Sequence, residues 1–132
     1  MERLILDTTV LVAAERGRSA LADAVGNEDD VAVAAVTAAE LLVGVELADA
    51  RRKGRRKAFV DAVLEDVRVE PYDLTTARVH AGLLAHARRS GRSRGAHDLL
   101  IAATAVATGR TVLTTDDAGF DDLPGVHVVS LA

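Results

Sequence analysis

The sequence predicts one α/β domain over residues 1–132, with a mostly parallel sheet of four to five strands and helices on both faces. Short apolar runs typical of buried strands alternate with longer helical segments, which is the pattern of βα units. The length of 132 residues fits a single domain. Hydrophobic residues at 49% and charged residues at 27% are typical of a globular protein.

The beginning of the chain contains the first βα unit. Arg3–Leu6 is a short apolar run that predicts a buried strand, and Thr8–Glu15 predicts the helix that leaves it. A second short helix is predicted over residues 19–25, with Ser19 as its cap. Residues 31–36 (VAVAAV) follow a polar turn and predict the second strand.

An αα-hairpin is predicted next. Thr37 and Glu40 have the spacing of a capping box, so a helix is expected to start there and to run over residues 37–50. The basic segment of residues 51–57 (RRKGRRK) is expected to connect it to a second helix over residues 57–64.

The rest of the chain continues the alternation. Ala96–Thr108 predicts a helix that is apolar nearly all round and therefore central. The other predicted elements are a strand over residues 67–70, an amphipathic helix over 75–90, a basic glycine-rich loop over 91–95, and strands over Thr111–Thr114 and residues 126–129.

Composition excludes several kinds of site. The chain has no cysteine, which rules out disulfides, cysteine-ligated zinc, iron–sulfur clusters and thiol nucleophiles. Aromatic residues make up 2%, which argues against nucleic-acid binding by base stacking. Neither a signal peptide nor a membrane-spanning stretch is recognisable, so a cytoplasmic protein is expected.

The net charge of −4 hides two basic segments in an acidic chain. Residues 51–57 contain six Lys or Arg and residues 88–94 (RRSGRSR) contain four, without any acid. Both segments are either solvated helix ends and loops, or surfaces that contact nucleic-acid phosphates. The arginines concerned are Arg51, Arg52, Arg55, Arg56, Arg88, Arg89, Arg92 and Arg94.

Four acidic residues stand where an acid is unexpected. Asp7 ends the first strand, Glu40 interrupts an apolar helix, Asp98 precedes the apolar run LLIAATAVA, and Asp116 follows the fourth strand. Each is expected at the C-terminal end of a strand or in the first turn of a helix that leaves one. These positions share one edge of a parallel sheet, where ligands bind, so the four carboxylates are expected to converge.

Converging carboxylates predict either shared protons or a bound cation, because like charges repel and burial disfavours the charged form. Oxygen ligands favour Mg²⁺, or Mn²⁺, over zinc. The histidines at positions 80, 86, 97 and 127 show no ligand spacing and are expected to have packing or surface roles. Each acid also has a structural alternative, since Asp7, Glu40 and Asp98 suit a helix N-terminus and Asp116 suits a turn.

The four motifs, in this order, resemble the PIN-domain family, and more closely its VapC-type toxin ribonucleases. The segments concerned are LILDTTVLV, TAAELLVGV, GAHDLLIAATAVATG and VLTTDDAGFDDLPGVHV. The resemblance extends over essentially the whole chain. It implies a PIN-like three-layer α/β/α fold in a single domain.

The resemblance also implies roles for the acids. Asp7, Glu40, Asp98 and Asp116 match the catalytic constellation. Asp7, Asp98 and Asp116 are expected to bind Mg²⁺, and Glu40 to ligate or to orient the attacking water.

Supporting residues follow from the same resemblance. Thr8 or Thr9 and Thr115 match the family's supporting hydroxyl positions. Asp116 is preferred as the fourth acid by counting from the fourth strand, and its neighbour Asp117 is the alternative.

The implied reaction is endonucleolytic cleavage of RNA by metal-activated water, which leaves a 5′-phosphate and a 3′-hydroxyl. The two basic segments are expected to hold the RNA backbone beside the acidic crevice. A VapB-type antitoxin is the implied protein partner, and a homodimer the implied assembly.

Three other functions are alternatives for a sequence of this kind. One is a PIN-like nuclease that acts on DNA, on flap structures or in RNA processing. Another is a phosphoacceptor receiver domain, which needs two adjacent acids early in the chain and a late lysine, whereas Asp7 stands alone and no lysine follows Lys57. The third is a catalytically silent binding module, which a cleavage assay distinguishes.

Overall fold

The computed structural model of the chain describes residues 1–17 and 25–131, so the helix expected over residues 19–25 falls almost entirely outside the described part. No helix within the described residues is long and apolar enough to cross a membrane. The elements are β1 (Arg3–Leu6), α1 (Thr8–Glu15), β2 (Asp30–Ala34), α2 (Ala35–Glu46), α3 (Ala50–Asp66), β3 (Arg68–Glu70), α4 (Leu74–Ser90), α5 (Ala96–Thr108), β4 (Thr111–Thr114), a 3₁₀-helix (Asp117–Phe120) and β5 (Val128–Ser130).

The five strands form one sheet in the order β3-β2-β1-β4-β5, and every neighbouring pair is parallel. β1 is central, with Ile5 opposite Ala32 on one side and Val112 on the other. Because parallel strands end at the same edge, the segments that follow β1, β2 and β4 meet there. The predicted α/β fold is confirmed, with five strands that are all parallel.

Each face of the sheet carries its own hydrophobic core, since successive side chains point to opposite faces. Ile5 and Val112 lie in the core that α4 and α5 cover. Leu6 and Leu113 lie in the core that α1, α2 and α3 cover. The result is the three-layer arrangement that the resemblance implied, and burial on both faces explains why the strands are apolar runs.

The expected capping box at Thr37 is wrong. α2 begins two residues earlier, at Ala35, and its N-cap residue is Ala34, which provides no side-chain cap. The strand ladder ends where Ala34 lies opposite Glu70, and the chain turns directly into the helix. Thr37 is therefore a fully buried residue within the helix, and Glu40 needs another explanation.

The basic segment of residues 51–57 is helical rather than a connection between helices. α3 is a single helix whose N-cap, Asp49, accepts a hydrogen bond from the Arg52 amide at 3.0 Å. Lys and Arg are good helix formers, and one glycine at position 54 costs only about 1 kcal/mol, so the helix starts before the segment instead of after it. The predicted αα-hairpin is confirmed, with α2 packed against α3.

The remaining differences concern the ends of elements. β2 stops at Ala34 rather than at residue 36, β3 starts at Arg68, and β5 is shifted to Val128–Ser130. α4 begins after Asp73, whose carboxylate accepts hydrogen bonds from both the amide and the hydroxyl of Thr76 at 3.0 Å.

A buried arginine just before β4 contacts three other strands of the sheet. The Arg110 side chain is 1% exposed, and its Nη1 donates to the Leu4 carbonyl at 3.1 Å and to the Asp30 carbonyl at 2.8 Å. The same nitrogen lies 3.1 Å from Asp30 Oδ1, and Nε lies 3.7 Å from Glu70 Oε2. This guanidinium therefore connects β4 to β1, β2 and β3.

We expect Arg110→Ala to lower the free energy of unfolding by about 3–5 kcal/mol, because it removes a buried cation that bonds to the Leu4 and Asp30 carbonyls and lies beside the buried Glu70 carboxylate, which then keeps only the exposed Arg68. Urea denaturation measures this loss. Arg78→Ala, at an exposed site on α4, is the control and should change the value by less than about 0.5 kcal/mol. If Arg110→Ala lowered the free energy of unfolding no more than the control does, a structural role for the Arg110 contacts would be contradicted.

Candidate active site

A cavity of about 430 Å³ opens at the carboxyl edge of the sheet. α1 along its length, the first half of α5, Glu40 of α2 and the residue after β4 surround it. Asp7, Glu40 and Asp98 are its acidic lining residues. Three of the four predicted acids, from separate parts of the sequence, therefore share one cavity.

Asp7 follows β1 directly and is only 4% exposed. It occupies the N-cap position of α1, but its side chain makes no capping bond to that helix. One carboxylate oxygen, Oδ2, instead accepts hydrogen bonds from the Thr9 hydroxyl at 3.0 Å and the Thr114 hydroxyl at 2.7 Å. The capping alternative for Asp7 is therefore wrong, and hydroxyl donors hold the carboxylate at the cavity.

Thr114 was missed by the sequence analysis, which named Thr115. The fully buried Thr114 hydroxyl donates to Asp7 and accepts from the Asp116 amide at 2.9 Å. Thr115 lines the cavity, but its bond in the site is from its amide to the Thr9 hydroxyl, at 3.2 Å. The strand register carried the missing signal, because Leu6 pairs with Leu113 and the next residue of each strand faces the same way.

Glu40 lies in the second turn of α2 and is held by two neighbours. Its Oε1 accepts a hydrogen bond from the Thr8 hydroxyl at 3.2 Å and lies 3.0 Å from His97 Nδ1. The sequence analysis gave His97 only a packing or surface role. Its side chain is 57% exposed, yet it lines the cavity beside Asp98, and only tertiary structure brings it to Glu40.

Asp98 lies in the first turn of α5, which follows a loop after α4 rather than a strand. It reaches the site because α5 runs back from the carboxyl edge toward the start of β4. Burial is the main cause that raises the pKa of Asp98 above its ordinary value, and the charges of Asp7, Asp116 and Glu40 raise it further. His97 opposes the shift. Asp98 is thus the acid whose pKa is raised by the negative charges of the other three carboxylates.

Asp116 and Asp117 have different surroundings. Both are exposed, but Asp116 is one of the charges that raise the pKa of Asp98. Asp117 starts the 3₁₀-helix and lines a separate depression with Asp121 and Asp122. The geometry therefore favours Asp116 over Asp117 as the fourth acid, although Asp116 stands outside the lining of the main cavity.

The donor set suits a hard divalent cation. Among the described residues, no three Asp, Glu, His or Cys side chains are already gathered at the spacing of metal ligands. Mg²⁺ does not need them, because it keeps several waters and commonly takes only one or two carboxylates. Asp7 and Asp98 provide such a pair, and a cation between them would offset the repulsion that raises the pKa of Asp98.

The first basic segment is divided between surface and internal contacts. Arg51, Arg52 and Arg55 line one surface depression. Arg56 instead donates to Glu15 at 3.2 Å, and Lys57 donates to Asp61 at 2.6 Å. Three of the four predicted RNA-binding arginines of this segment are thus grouped at the surface.

The second basic segment shows the same division. Arg88 and Arg89 are exposed in the last turn of α4, where they also suit the negative end of the helix dipole. Arg92 lies 3.8 Å from Asp121, and Arg94 donates to the Ala118 carbonyl at 3.1 Å. Arg16, outside both segments, lines the cavity itself and was missed by the sequence analysis.

Comparison with known proteins identifies the family of the chain. A family model for the PIN domain matches residues 4–126. The chain is 38% identical to Ribonuclease VapC5 of Mycobacterium tuberculosis over 128 residues, which are 95% of this chain and 93% of that protein. It is 30% identical to Ribonuclease VapC of Rickettsia bellii over 129 residues, which are 97% of this chain and 96% of that protein.

A solved structure gives the same result. The structure of VapBC-5 from Mycobacterium tuberculosis, a member of the VapBC family of toxin–antitoxin systems, matches with a TM-score of 0.82 and 32% identity over 99% of this chain and 100% of that one. Since the matches extend over nearly the whole chain, the chain belongs to the PIN domain family and, within it, to the VapC ribonucleases.

Proposed function

We propose that the protein is an Mg²⁺-dependent endoribonuclease and the toxin of a VapBC-type toxin–antitoxin module. The observation that carries the proposal is the convergence of the Asp7, Glu40 and Asp98 carboxylates on one cavity, and the raised pKa of Asp98 agrees with that crowding. Such crowding of acids is costly for a structural site and typical of a functional one. The names of the VapC relatives support RNA as the substrate.

Asp7 and Asp98 are the proposed Mg²⁺ ligands, and Asp116 completes that site or a second one. Bound Mg²⁺ would lower the pKa of a water molecule and neutralise phosphate oxygens. Attack of water on phosphorus breaks the bond to the 3′-oxygen, which leaves with a proton. The products therefore carry a 5′-phosphate and a 3′-hydroxyl.

The surrounding residues keep the carboxylates in place. The hydroxyls of Thr9 and Thr114 fix Asp7 by donating to one of its oxygens, which leaves the other oxygen for a ligand. Thr8 and His97 hold Glu40 at the cavity wall. Glu40 then ligates or orients the attacking water.

Arginine side chains are proposed to hold the RNA. An acidic cavity repels a polyanion, so affinity must come from basic side chains at its wall, such as Arg16, and around it. The surface arginines Arg51, Arg52, Arg55, Arg88 and Arg89 are the proposed phosphate contacts. Arg56 and Arg94, which bond within the protein, contribute less.

A VapB-type antitoxin is the proposed protein partner, because the matched structure belongs to the VapBC family. α2 leaves the apolar side chains of Leu42, Val43 and Leu47 exposed, which offers a protein partner an apolar surface. A homodimer and a cytoplasmic location complete the proposal.

We expect the protein to cut RNA with Mg²⁺ or Mn²⁺ and not with EDTA, and to leave 5′-phosphate ends. A panel of total RNA, tRNA and a DNA control identifies the substrate class.

Asp98→Ala should lose more than about 100-fold in rate, the upper end of what loss of an outer-shell partner costs. Asp116→Asn should lose activity and the neighbouring Asp117→Asn should keep it. Cutting of DNA alone would instead favour a DNA-directed PIN nuclease, and full activity of Asp98→Ala would exclude this site.

We expect Asp98→Asn to raise the melting temperature of the metal-free protein at pH 7. The pKa of Asp98 is higher in the folded protein than its ordinary 3.8, so its contribution to stability is most favourable below pH 3.8 and is lost as pH rises through the folded pKa. The difference between variant and wild type should therefore shrink in acid. Mg²⁺ should stabilise the wild type and not the variant. A variant that is less stable than the wild type at pH 7 in EDTA would contradict the repulsion.

We expect the triple variant Arg51→Ala, Arg52→Ala, Arg55→Ala to bind RNA more weakly and with a smaller salt dependence. Each lost phosphate contact on a single strand should reduce the slope of log K against log salt by about 0.7. Filter binding by an inactive Asp98→Ala background measures it, with Arg78→Ala as the control. An unchanged slope would remove this surface from the binding site.

A further inference from the structure

Two glycines flank the Asp98 carboxylate, and neither has a positive φ that would require glycine. Gly95 precedes α5 with φ of −61°, and Gly119, in the 3₁₀-helix, is not among the left-handed residues. Space is what excludes a larger residue. A Cβ at Gly119 would lie 3.0 Å from Asp98 Cγ and closer still to Oδ2, and a Cβ at Gly95 would lie 3.1 Å from Oδ2.

The segment that carries Gly119 is fixed on both sides. Phe120, the next residue, is 2% exposed and lies in the core with Leu99. The preceding carbonyl, of Ala118, accepts the hydrogen bond from Arg94 at 3.1 Å. A methyl group at position 119 would therefore clash with Asp98, and a shift of the 3₁₀-helix to relieve the clash would be costly. The Asp98 side chain, by contrast, can rotate.

We infer that Gly119 is a positioning residue for Asp98, with Gly95 in the same role to a smaller degree. Glycine at 119 leaves the space in which the Asp98 carboxylate stays turned toward Asp7 and Asp116. Arg94, predicted to bind RNA, contributes here by anchoring the 3₁₀-helix. The role of Gly119 in Mg²⁺ binding rests on the proposed function. Its effect on the position of the Asp98 carboxylate does not.

The test compares Gly119→Ala and Gly95→Ala with Gly82→Ala, a helix glycine in α4 at which a Cβ meets nothing within 4 Å. Crystal structures of the metal-free variants show where Asp98 goes. In Gly119→Ala the carboxylate should turn away until its contacts to the new Cβ reach ordinary distances of 3.4 Å or more, with residues 117–120 in place. An unmoved carboxylate with a displaced 3₁₀-helix would overturn the inference.

Mg²⁺ titration followed by melting temperature gives a readout other than activity. The Mg²⁺ concentration for half-maximal stabilisation should rise 10- to 100-fold in Gly119→Ala, less in Gly95→Ala, and not at all in Gly82→Ala. A displaced carboxylate with an unchanged Mg²⁺ midpoint would overturn the positioning role.

The crystal structures and the Mg²⁺ titration together distinguish a failure of this inference from a failure of the proposed function. If Mg²⁺ does not stabilise even the wild type, the proposed metal requirement fails, and the crystal structures still decide whether Gly119 sets the position of Asp98. If Gly119→Ala does not fold, Gly95→Ala, with its milder contact, carries the same comparison.

Discussion

The parallel pairing of β1 with β4 is the constraint on which the site depends. With Leu6 opposite Leu113, Asp7 leaves its strand beside Thr114, and the two side chains bond at 2.7 Å. Thr114 in turn accepts from the Asp116 amide, so the segment after β4 is tied to the end of β1. α5 packs on the same face of the sheet and brings Asp98 to the cavity from the other side. The positions of Asp7 and Asp116 thus follow from how β1 and β4 align.

Acidic side chains around the sheet have two kinds of surroundings. Asp30, at the start of β2, and the buried Glu70, the last residue of β3, both lie beside Arg110. At the carboxyl end, within residues 1–17 and 25–131, no lysine or arginine forms an ion pair with Asp7, Glu40 or Asp98. Arg110 thus balances the charge of the buried Glu70, whereas the acids of the cavity have no such cation paired with them in the described part of the chain. Unbalanced charge at the carboxyl end is the usual sign that stability has been exchanged for function.

The basic segments show why a run of like charges does not have one function. Helical geometry points neighbouring residues in different directions, about 100° apart. Arg56 therefore reaches Glu15, whereas Arg51, Arg52 and Arg55 share the surface. In the second segment, Arg94 binds the segment next to Asp98, which makes it part of the support of the site.

The sequence by itself determined the fold class, the order of the elements and the four acids, because apolar periodicity and acids in apolar surroundings are local signals. Strand pairing supplies a rule that sequence reasoning can apply, namely that parallel strands end at one edge. Prediction from the sequence failed where a helix boundary depended on neighbouring segments. One example is Thr37, which the early start of α2 buries within the helix.

Only the tertiary structure decided how the side chains at that edge interact. Thr114 rather than Thr115 supports Asp7, His97 contacts Glu40, and Gly119 makes room for Asp98. Each of these pairs is far apart in the sequence, and a contact over such a separation depends on strand register and helix packing to within an ångström. A local pattern of residue types names the acids, but distances between elements determine what each acid touches.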